Sequence, residues 1–352
     1  MKDQSRQRVL LVTGGCGFIG SCFVRQAVSK GDRVVVLDSL TYAGHRENLE
    51  GITGPGSFEL VVGDIRQGPL VADLLKNNEV DAVIHFAAES HVDRSIDSPS
   101  AFIETNIQGT FSLLNASLSY WNDSQKQQKN KKRDFRFVHI STDEVFGSLG
   151  PEGKFSETTP LAPNSPYSAS KAAGDFLVRA WHHTYGLPTV TTNCSNNYGP
   201  RQFPEKLIPH MIQCALDGRP LPVYGDGGNV RDWIHVEDHC TGVRLALEKG
   251  VPGSVYCLGG NAEKNNLDVV KTICRILDRL RPHPAGKLYE SGLVFVADRL
   301  GHDRRYAIDD RKAQKELSFF RRYAFEDGLA QTVQWYLDHP HWSSAVLKGK
   351  DL

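Results

Sequence analysis

The first part of the chain alternates short apolar runs with helical stretches. The runs read RVLLVTGG, RVVVLDS, FELVVGD, AVIHFAA, FRFVHIST and TVTTNCSN. Val, Ile and Leu are nearly continuous in each of them, which is typical of strands buried on both faces. Strands and helices that alternate in this way predict an α/β fold with a doubly wound (Rossmann) parallel sheet.

This alternation loosens after about residue 196, where Pro, Gly and aromatic clusters become frequent. We therefore predict a dinucleotide-binding domain of residues 1–196 and a smaller C-terminal substrate-binding domain of residues 197–352. Some later segments, such as SVYCLGG, are expected to return to the main sheet. The low-complexity segment at residues 122–134, NDSQKQQKNKKRD, is interpreted as a solvated surface loop rather than a phosphate-binding patch.

Composition narrows the classes of function. The chain has 352 residues, and its 41 Lys and Arg balance its 41 Asp and Glu, so no net field favours nucleic acid or an anionic membrane. The first apolar run is too short for a secretory signal or a membrane span, and we expect a cytoplasmic protein. The seven cysteines are scattered and form no CxxC or Cys/His cluster, which predicts reduced thiols and no metal site.

The segment TGGCGFIG places Gly14, Gly17 and Gly20 directly after the first predicted strand and at the start of a helix. Glycines there let the backbone turn sharply and approach a pyrophosphate, which rests on the positive end of the helix. Asp38 ends the second predicted strand, where its carboxylate would bind the adenosine ribose and repel a 2′-phosphate. The pattern predicts NAD rather than NADP as cofactor.

Two further segments end predicted strands. Asp64 and Ile65 follow the third strand, and Phe86, Ala87 and Ala88 follow the fourth. Open α/β sheets bind ligands at the carboxyl ends of their strands, so these residues are predicted to line the cofactor site. A turn or a helix cap is the alternative interpretation of Asp64.

Tyr167 and Lys171 lie four residues apart in the helical segment SPYSASKAAG and therefore share one face. A phenol of pKa near 10 is a poor base at neutral pH, and we expect a neighbouring ammonium and the positive charge of nicotinamide to lower it. The pair alone could be surface residues. With the dinucleotide fold, and with Thr142 at a strand end, it resembles the extended short-chain dehydrogenase/reductase family, in which Ser/Thr, Tyr and Lys carry hydride chemistry at a sugar hydroxyl.

The segment STDEVFG adds two adjacent carboxylates, Asp143 and Glu144, directly after a buried strand. They could form a charged loop tip or a helix cap. As a functional pair they would serve as acid and base, with mutual repulsion keeping one protonated. Because side chains alternate along a strand, both can face one pocket only if the backbone turns there.

Eight motifs follow one another between residue 13 and about residue 309: TGGCGFIG, AAESHVDRS, FIETNIQGT, STDEVFG, YSASK, NCSNNYGPRQFPEKLIP, GDGGNVRDWIHVEDH and DRLGHDRRYAID. Together they resemble the nucleotide-sugar 4,6-dehydratases within that family. Threonine before the acidic pair is the most specific feature, because the 4-epimerases of the family lack the pair and GDP-mannose dehydratases usually carry Ser before Glu.

The resemblance implies a reaction on dTDP-glucose. Thr142 would orient the 4-hydroxyl, and Tyr167 would remove its proton as hydride passes from C4 to NAD. Lys171 would hold the nicotinamide ribose. Glu144 would then take the C5 proton while Asp143 gives a proton to the departing 6-hydroxyl. Hydride return to C6 would leave a 4-keto-6-deoxy sugar.

The resemblance also implies binding residues. Phe18, Ile19, Thr105 and Asn197 are added to the cofactor site. The predicted substrate-binding residues are Ser90, Thr142, Asn196, Lys206, Leu207, Arg231, Asn266, Asp298 and His302. At Leu300 the chain departs from the proline that is usual in the family, which implies a less rigid loop near the nucleotide. A homodimer is implied, paired through helices near residues 100–120 and 167–185.

Two other functions remain open on the sequence. A UDP-sugar 4-epimerase would share the cofactor site without needing Asp143 and Glu144. A non-catalytic NAD-responsive protein would not need Tyr167 and Lys171. Within the dehydratases, another nucleotide sugar such as UDP-glucose is the alternative substrate.

Overall fold

The computed structural model describes residues 7–127, 135–298 and 302–348. Its strands are β1 (Val9–Thr13), β2 (Arg33–Asp38), β3 (Ser57–Val62), β4 (Ala82–His85), β5 (Arg136–Thr142), β6 (Thr189–Cys194), β7 (Asn196–Tyr198), β8 (Leu221–Tyr224), β9 (Val230–His235), β10 (Val255–Leu258), β11 (Glu263–Asn265) and β12 (Leu293–Val296). The helices are α1 (Phe18–Ser29), α2 (Gly68–Asn77), α3 (Val92–Asp97), α4 (Pro99–Phe102), α5 (Thr110–Gln127), α6 (Pro166–Tyr185), α7 (Leu207–Leu216), α8 (Val236–Lys249), α9 (Asn266–Leu280), α10 (Arg311–Leu317), α11 (Phe325–Asp338) and α12 (Pro340–Leu347).

A parallel sheet of seven strands organises the fold, in the order β10-β6-β5-β4-β1-β2-β3. The six apolar runs of the first part of the chain are all strands of this sheet, and the predicted Rossmann fold is confirmed. Alternate side chains of β1 enter opposite cores: Leu10 and Val12 pack on one face, and Val9 and Leu11 on the other.

One strand differs from its prediction. The run FELVVGD was expected to be buried on both faces, but β3 lies at the edge of the sheet, and its side chains are exposed or only partly buried. Val62 keeps 51% of its surface exposed. An edge strand has a neighbour on one side alone, which leaves more of its surface in water.

The segment SVYCLGG contains β10, which pairs in parallel with β6 and extends the sheet beyond the first six strands. Two small sheets accompany the main one, in the orders β11-β9-β7 and β12-β8. The predicted boundary between residues 196 and 197 falls inside β7, and the division into two domains stays a prediction.

Helix α5 extends further than the sequence predicts. Residues 122–127 of the segment interpreted as a loop form its last turns, and residues 128–134 lie outside the described part of the chain. Residues 122–127 include no Pro or Gly that would end the helix, and Asn122, Asp123 and Lys126 are exposed. Between α4 and α5 the chain forms a π-helical stretch, Ile103–Gly109. Among the described residues, no helix is long and apolar enough to cross a membrane.

The strand order reverses between β1 and β4, which are neighbours although β2 and β3 lie between them in sequence. Connections after neighbouring strands then leave in opposite directions, and a crevice opens at the carboxyl ends of the strands. The residues that follow β1, β2, β4, β5 and β6 all reach this crevice.

Candidate active site

A cleft of about 470 Å³ occupies the crevice. Every residue predicted to be catalytic or to bind the cofactor lines it, and so do Ser90, Asn196 and Lys206. The connections after β1 to β6 therefore bring residues from positions 14 to 206 into one site. No group of three or more His, Cys, Asp or Glu side chains suited to a metal occurs within the described ranges.

The glycines after β1 have separate steric roles. Gly14 has a φ of +69°, and a Cβ there would lie 2.6 Å from the Ala87 backbone nitrogen. A Cβ on Gly20 would lie 2.1 Å from the Gly14 carbonyl oxygen, so only glycine lets α1 pack this close to the turn. Gly17 is the N-cap of α1, and no side chain caps this end of the helix. The first turn can therefore receive a phosphate, and the cradle fits a dinucleotide.

Asp38 closes the opposite side of this turn. Its carboxylate accepts hydrogen bonds from the backbone nitrogens of Cys16 and Leu40, both at 2.8 Å. The side chain is 7% exposed, and burial raises its pKa in spite of these two bonds. Each carboxylate oxygen can accept a second bond, so the group is oriented for a ribose hydroxyl.

Asp64 both lines the cleft and stabilises a turn, the two interpretations that the sequence allowed. It lines the cleft, and its carboxylate also accepts hydrogen bonds from the Arg66 backbone nitrogen at 2.8 Å and guanidinium at 2.7 Å. Burial would raise the pKa of Asp64, but the bonds from Arg66 outweigh it and lower the pKa. The residue stabilises the turn after β3 while it faces the cleft.

The backbone turns directly after β5, as the acidic pair requires. Thr142 is the N-cap of a 3₁₀ turn, Asp143–Phe146, and its hydroxyl accepts a hydrogen bond from the Glu144 nitrogen at 3.3 Å. The same hydroxyl donates to Asp143 Oδ1 at 3.3 Å. Thr142, Asp143 and Glu144 consequently face one cleft.

Asp143 is 2% exposed, and its Oδ2 atom is buried without a hydrogen-bond partner among the described residues. Burial raises its pKa well above the ordinary value, and the neighbouring Glu144 carboxylate raises it further. Both causes favour the protonated form of Asp143 more than in an ordinary carboxyl group. Repulsion was predicted to hold one member of the pair protonated. In the structure, burial is the larger cause of the raised pKa of Asp143, and repulsion from Glu144 is the second.

Helix α6 carries Tyr167 and Lys171. It begins with a capping box between Ser165 and Ser168 and has Pro166 at its first position, which fixes where the helix starts. Both side chains are buried, and Lys171 Nζ donates to the Ile140 carbonyl at 2.7 Å. The interpretation of the pair as surface residues is therefore wrong.

The electrostatics of Tyr167 differ from the sequence prediction. Burial raises its pKa well above the ordinary value, and the carboxylate of Glu144 raises it further. A hydrogen bond with Thr142 opposes this rise. The prediction that a neighbouring ammonium lowers the pKa of Tyr167 is therefore wrong. Tyr167 is buried near carboxylates, and the Lys171 ammonium is directed at a backbone carbonyl. The contribution of the nicotinamide charge stays a prediction.

Leu207, Arg231, Asn266, Asp298 and His302 do not line this cleft. Leu207 begins α7, whose first turn carries no acidic residue and faces no capping side chain. Arg231 is 8% exposed, and it donates to the Asp303 carbonyl at 2.9 Å. Asn266 begins α9, and its Oδ1 is buried without a hydrogen-bond partner among the described residues.

Asp298 and His302 contact each other at 2.6 Å, between Oδ1 and Nδ1. Arg299 and Leu300 lie outside the described residues.

Sequence reasoning missed several residues of the cleft, notably Tyr42, Glu89 and Glu205. The Glu205 side chain is 8% exposed, and its carboxylate lies 3.9 Å from Lys206 Nζ. Burial raises the pKa of Glu205. Its place in FPEKLIP, directly before Lys206, was a signal that could have identified it. Tyr42 lies in a loop without any motif.

Comparison with known proteins places these features in a family. The family model described as GDP-mannose 4,6 dehydratase matches residues 11–332. A dTDP-glucose 4,6-dehydratase of Xanthomonas campestris pv. campestris is 58% identical over 340 residues, covering 96% of each chain. Escherichia coli dTDP-glucose 4,6-dehydratase 1 is 50% identical over 350 residues, covering 97% of this chain and 96% of its own.

Solved structures of nucleotide-sugar enzymes are also similar to this chain. A dTDP-glucose 4,6-dehydratase of Streptomyces venezuelae, crystallised with NAD bound, superposes with a TM-score of 0.86 at 47% identity and covers 96% of this chain and 99% of its own. A UDP-glucose 4-epimerase of Thermotoga maritima reaches 0.82 at 27% identity, covering 94% and 99%. The family model and the full-length relatives together identify this chain as a member of the nucleotide-sugar 4,6-dehydratase family.

Proposed function

We propose that this protein is an NAD-dependent lyase that converts dTDP-glucose to dTDP-4-keto-6-deoxyglucose. The observation that carries the proposal is Asp143, a buried carboxyl group with a raised pKa and an unpartnered Oδ2 atom, beside Glu144 in the cleft that also holds Tyr167 and Lys171. A simple oxidoreductase has no use for this acid. Relatives named dTDP-glucose 4,6-dehydratase, at up to 58% identity over nearly the whole chain, support the substrate.

The cofactor site is formed by the glycine turn and the strand ends around it. The first turn of α1 would hold the pyrophosphate, Asp38 the adenosine ribose, and Lys171 the nicotinamide ribose. NAD in the structures of two dTDP-glucose 4,6-dehydratases, from Streptomyces venezuelae and Bacillus anthracis, supports this cofactor. Bound NAD would supply a hydride acceptor for C4 of the sugar and, once reduced, a hydride donor for C6, with a proton added at C5, so the cofactor would be regenerated in each turnover.

Oxidation at C4 needs a base for the 4-hydroxyl proton. Tyr167 takes this proton, while Thr142 orients the hydroxyl. Burial, and after it the Glu144 carboxylate, raises the pKa of Tyr167, so the positive charge of bound nicotinamide would have to stabilise the phenolate. The resulting C4 ketone acidifies the neighbouring C5 proton, and elimination of the 6-hydroxyl becomes feasible.

Elimination divides between the two carboxyl groups. Glu144 removes the C5 proton, and the electron pair of the C5–H bond forms the C5–C6 double bond. The C6–O bond breaks as Asp143 gives its proton to the leaving hydroxyl, which departs as water. Asp143 suits this step because burial raises its pKa and so favours the protonated form, and because its Oδ2 atom has no protein partner among the described residues.

The substrate's diphosphate would bind near Lys206 and the first turn of α7, where the helix N-terminus favours an anion. Ser90 and Asn196 face the sugar end of the same cleft. Asn196 Oδ1 is buried without a hydrogen-bond partner among the described residues and could accept a bond from the substrate. Arg231, Asn266, Asp298 and His302 are proposed to contact the nucleotide from beyond the cleft.

Product analysis tests the proposal against its alternatives. The protein would be incubated with dTDP-glucose, UDP-glucose, CDP-glucose and GDP-mannose in separate reactions. We expect dTDP-glucose to give a 4-keto-6-deoxy product faster than the other three substrates. A 4-keto-6-deoxy product from UDP-glucose alone would support the dehydratase activity but change the nucleotide of the proposed substrate. Formation of a C4 epimer without a ketone would favour a 4-epimerase, and absence of any product would refute the function.

Asp38 is predicted to select NAD over NADP. A 2′-phosphate would lie against a buried carboxylate, and like charges in direct contact cost several kcal/mol, so NADP should bind about 100-fold more weakly or worse. Titration of the cofactor-free protein with each dinucleotide measures the difference. Asp38→Asn should narrow it, and equal affinities in the wild-type protein would remove Asp38 from this role.

We propose that the protein is a homodimer paired through the helices at residues 100–120 and 167–185. These helices expose large apolar side chains: Ile103 at 45%, Phe111 at 46% and Phe176 at 59%. Light scattering should give twice the monomer mass. Phe176→Glu places a charge on this surface without disturbing the core and should yield monomers, whereas Phe320→Glu, equally exposed elsewhere at 62%, should not. A wild-type monomer would contradict the proposal.

All seven cysteines are thiols, and all except Cys22 are buried. Their reduced state stays a prediction, and with it we propose a reducing compartment such as the cytoplasm.

A further inference from the structure

A buried carboxylate lies one helical turn beyond Lys171 and is not used in the reaction described above. Asp175 is on α6, and its side chain is 11% exposed. Its Oδ2 atom accepts hydrogen bonds from Ser141 Oγ at 2.9 Å and Asn193 Nδ2 at 3.3 Å. Its Oδ1 atom lies 3.1 Å from His139 Nε2, without the alignment of a hydrogen bond.

These contacts join Asp175 to the strand end that carries the catalytic threonine. Ser141 immediately precedes Thr142 on β5, and Asn193 on β6 donates to the Thr142 carbonyl at 3.1 Å as well as to Asp175. Asp175 therefore fixes helix α6 against the ends of two central strands. Lys171 lies on the same helix and donates to Ile140, the residue before Ser141.

The other titratable groups that face Lys171 are neutral. His85 on β4 and His139 on β5 have pKa values lowered by burial, and Cys194 on β6 has its pKa raised by burial to about 12. Tyr167 on α6 also has a raised pKa, because of burial. Among the described groups, Asp175 is the carboxylate that stabilises the ammonium of Lys171.

We propose that the Asp175 carboxylate is the counter-ion that keeps Lys171 in its charged, cofactor-facing form, and that Asp175 thereby acts as a positioning residue for oxidation at C4. The proposal rests on the proposed function. Two donors hold the carboxylate in place one helical turn from Lys171, and both side chains are buried or nearly so, which strengthens the interaction between their charges. The side chain itself does not touch the cleft.

The direction of the pH effect follows from the charges. Burial lowers the pKa of Lys171, and the Asp175 carboxylate opposes this lowering. The charged form of Lys171 is present below its pKa and is lost as pH rises through it. Removing the negative charge lowers that pKa further, so activity that needs the ammonium should fall at a lower pH.

The test compares three variants of the full-length protein. Asp175→Asn removes the charge and keeps an oxygen that can accept from Ser141. Ser141→Ala is the matched control, since it removes a hydrogen bond to the same carboxylate and leaves the charge. Asp175→Glu restores the charge. Selective ¹³C labelling of lysine, with Lys171→Met for assignment, gives the titration midpoint of Lys171 independently of activity.

We expect Asp175→Asn to lower this midpoint by about one pH unit or more, and to move the alkaline limb of C4 oxidation by a similar amount. Oxidation is followed by the absorbance of reduced nicotinamide in a single turnover. Ser141→Ala should leave both midpoints in place, and Asp175→Glu should recover most of the shift. Equal pH profiles in all three variants, with lower thermal stability, would show a purely structural residue and overturn the proposal. Failure of the wild-type protein to dehydrate any nucleotide sugar would instead refute the proposed function, while the lysine titration would still decide the role of Asp175.

Discussion

Asp143→Asn is expected to oxidise dTDP-glucose but to lose water about 10²- to 10⁴-fold more slowly than the wild type, the usual effect of removing one general acid. Tyr167, Thr142 and Lys171 remain, so hydride transfer to NAD should proceed. Reduced nicotinamide should therefore accumulate during a single turnover, which rapid mixing with absorbance detection measures. Tyr167→Phe is the control, because it should prevent this accumulation.

Stability measurements distinguish this account from a structural role. The pKa of Asp143 is raised in the folded protein, so its contribution to stability is fully present below the ordinary pKa of a carboxyl group and is lost as pH rises from there towards the raised value. Asn cannot ionise and can still accept a hydrogen bond from Thr142, so the thermal stability of Asp143→Asn at neutral pH should be unchanged or higher. Asn caps a helix about as well as Asp, so Asp143→Ala is the variant that tests a capping role, in which loss of the cap would cost about 1 kcal/mol. No reduced nicotinamide in a folded variant that binds NAD would contradict the separation of steps.

Glu144→Gln is expected to block removal of the C5 proton, again by about 10²- to 10⁴-fold. Oxidation at C4 should continue, so this variant should also accumulate reduced nicotinamide. The two variants differ in exchange at C5. In deuterated water, Asp143→Asn should incorporate deuterium at C5, because Glu144 is intact. Glu144→Gln should not.

Mass spectrometry of recovered sugar nucleotide measures this exchange. Loss of exchange in both variants would mean that the carboxyl groups act as one unit, and equal exchange in both would remove Glu144 as the base. Gln keeps the size of Glu and the backbone bond from the residue 144 nitrogen to Thr142, so the turn after β5 should persist. Circular dichroism and NAD affinity check that it does.

The fold and the composition of the cleft could be predicted because local rules determine them. Continuous apolar runs required buried strands, and the steric limits at Gly14 and Gly20 follow from a tight turn against a helix. The sequence predicts that Asp143 and Glu144 face one pocket only if the backbone turns after β5. Thr142 stabilises that turn through its hydroxyl.

Features set by tertiary contacts could not be predicted. The exposure of β3 depends on its place at the edge of the sheet, which the run FELVVGD does not encode. The raised pKa of Tyr167 comes from burial and from Glu144, which is far from it in sequence. In the sequence, Asp175 is an ordinary polar position on an amphipathic helix. Its role depends on hydrogen bonds from Ser141 and Asn193, which lie on two other elements.

The central claim is that one bound NAD carries a hydride from C4 to C6 of the same sugar while water is lost. Incubation with dTDP-glucose that carries deuterium at C4 tests it most directly, with NMR of the product to locate the label. We predict a 4-keto-6-deoxy product with deuterium at C6 and a solvent-derived hydrogen at C5. Deuterium that remains at C4, or that is lost to solvent, would contradict the account.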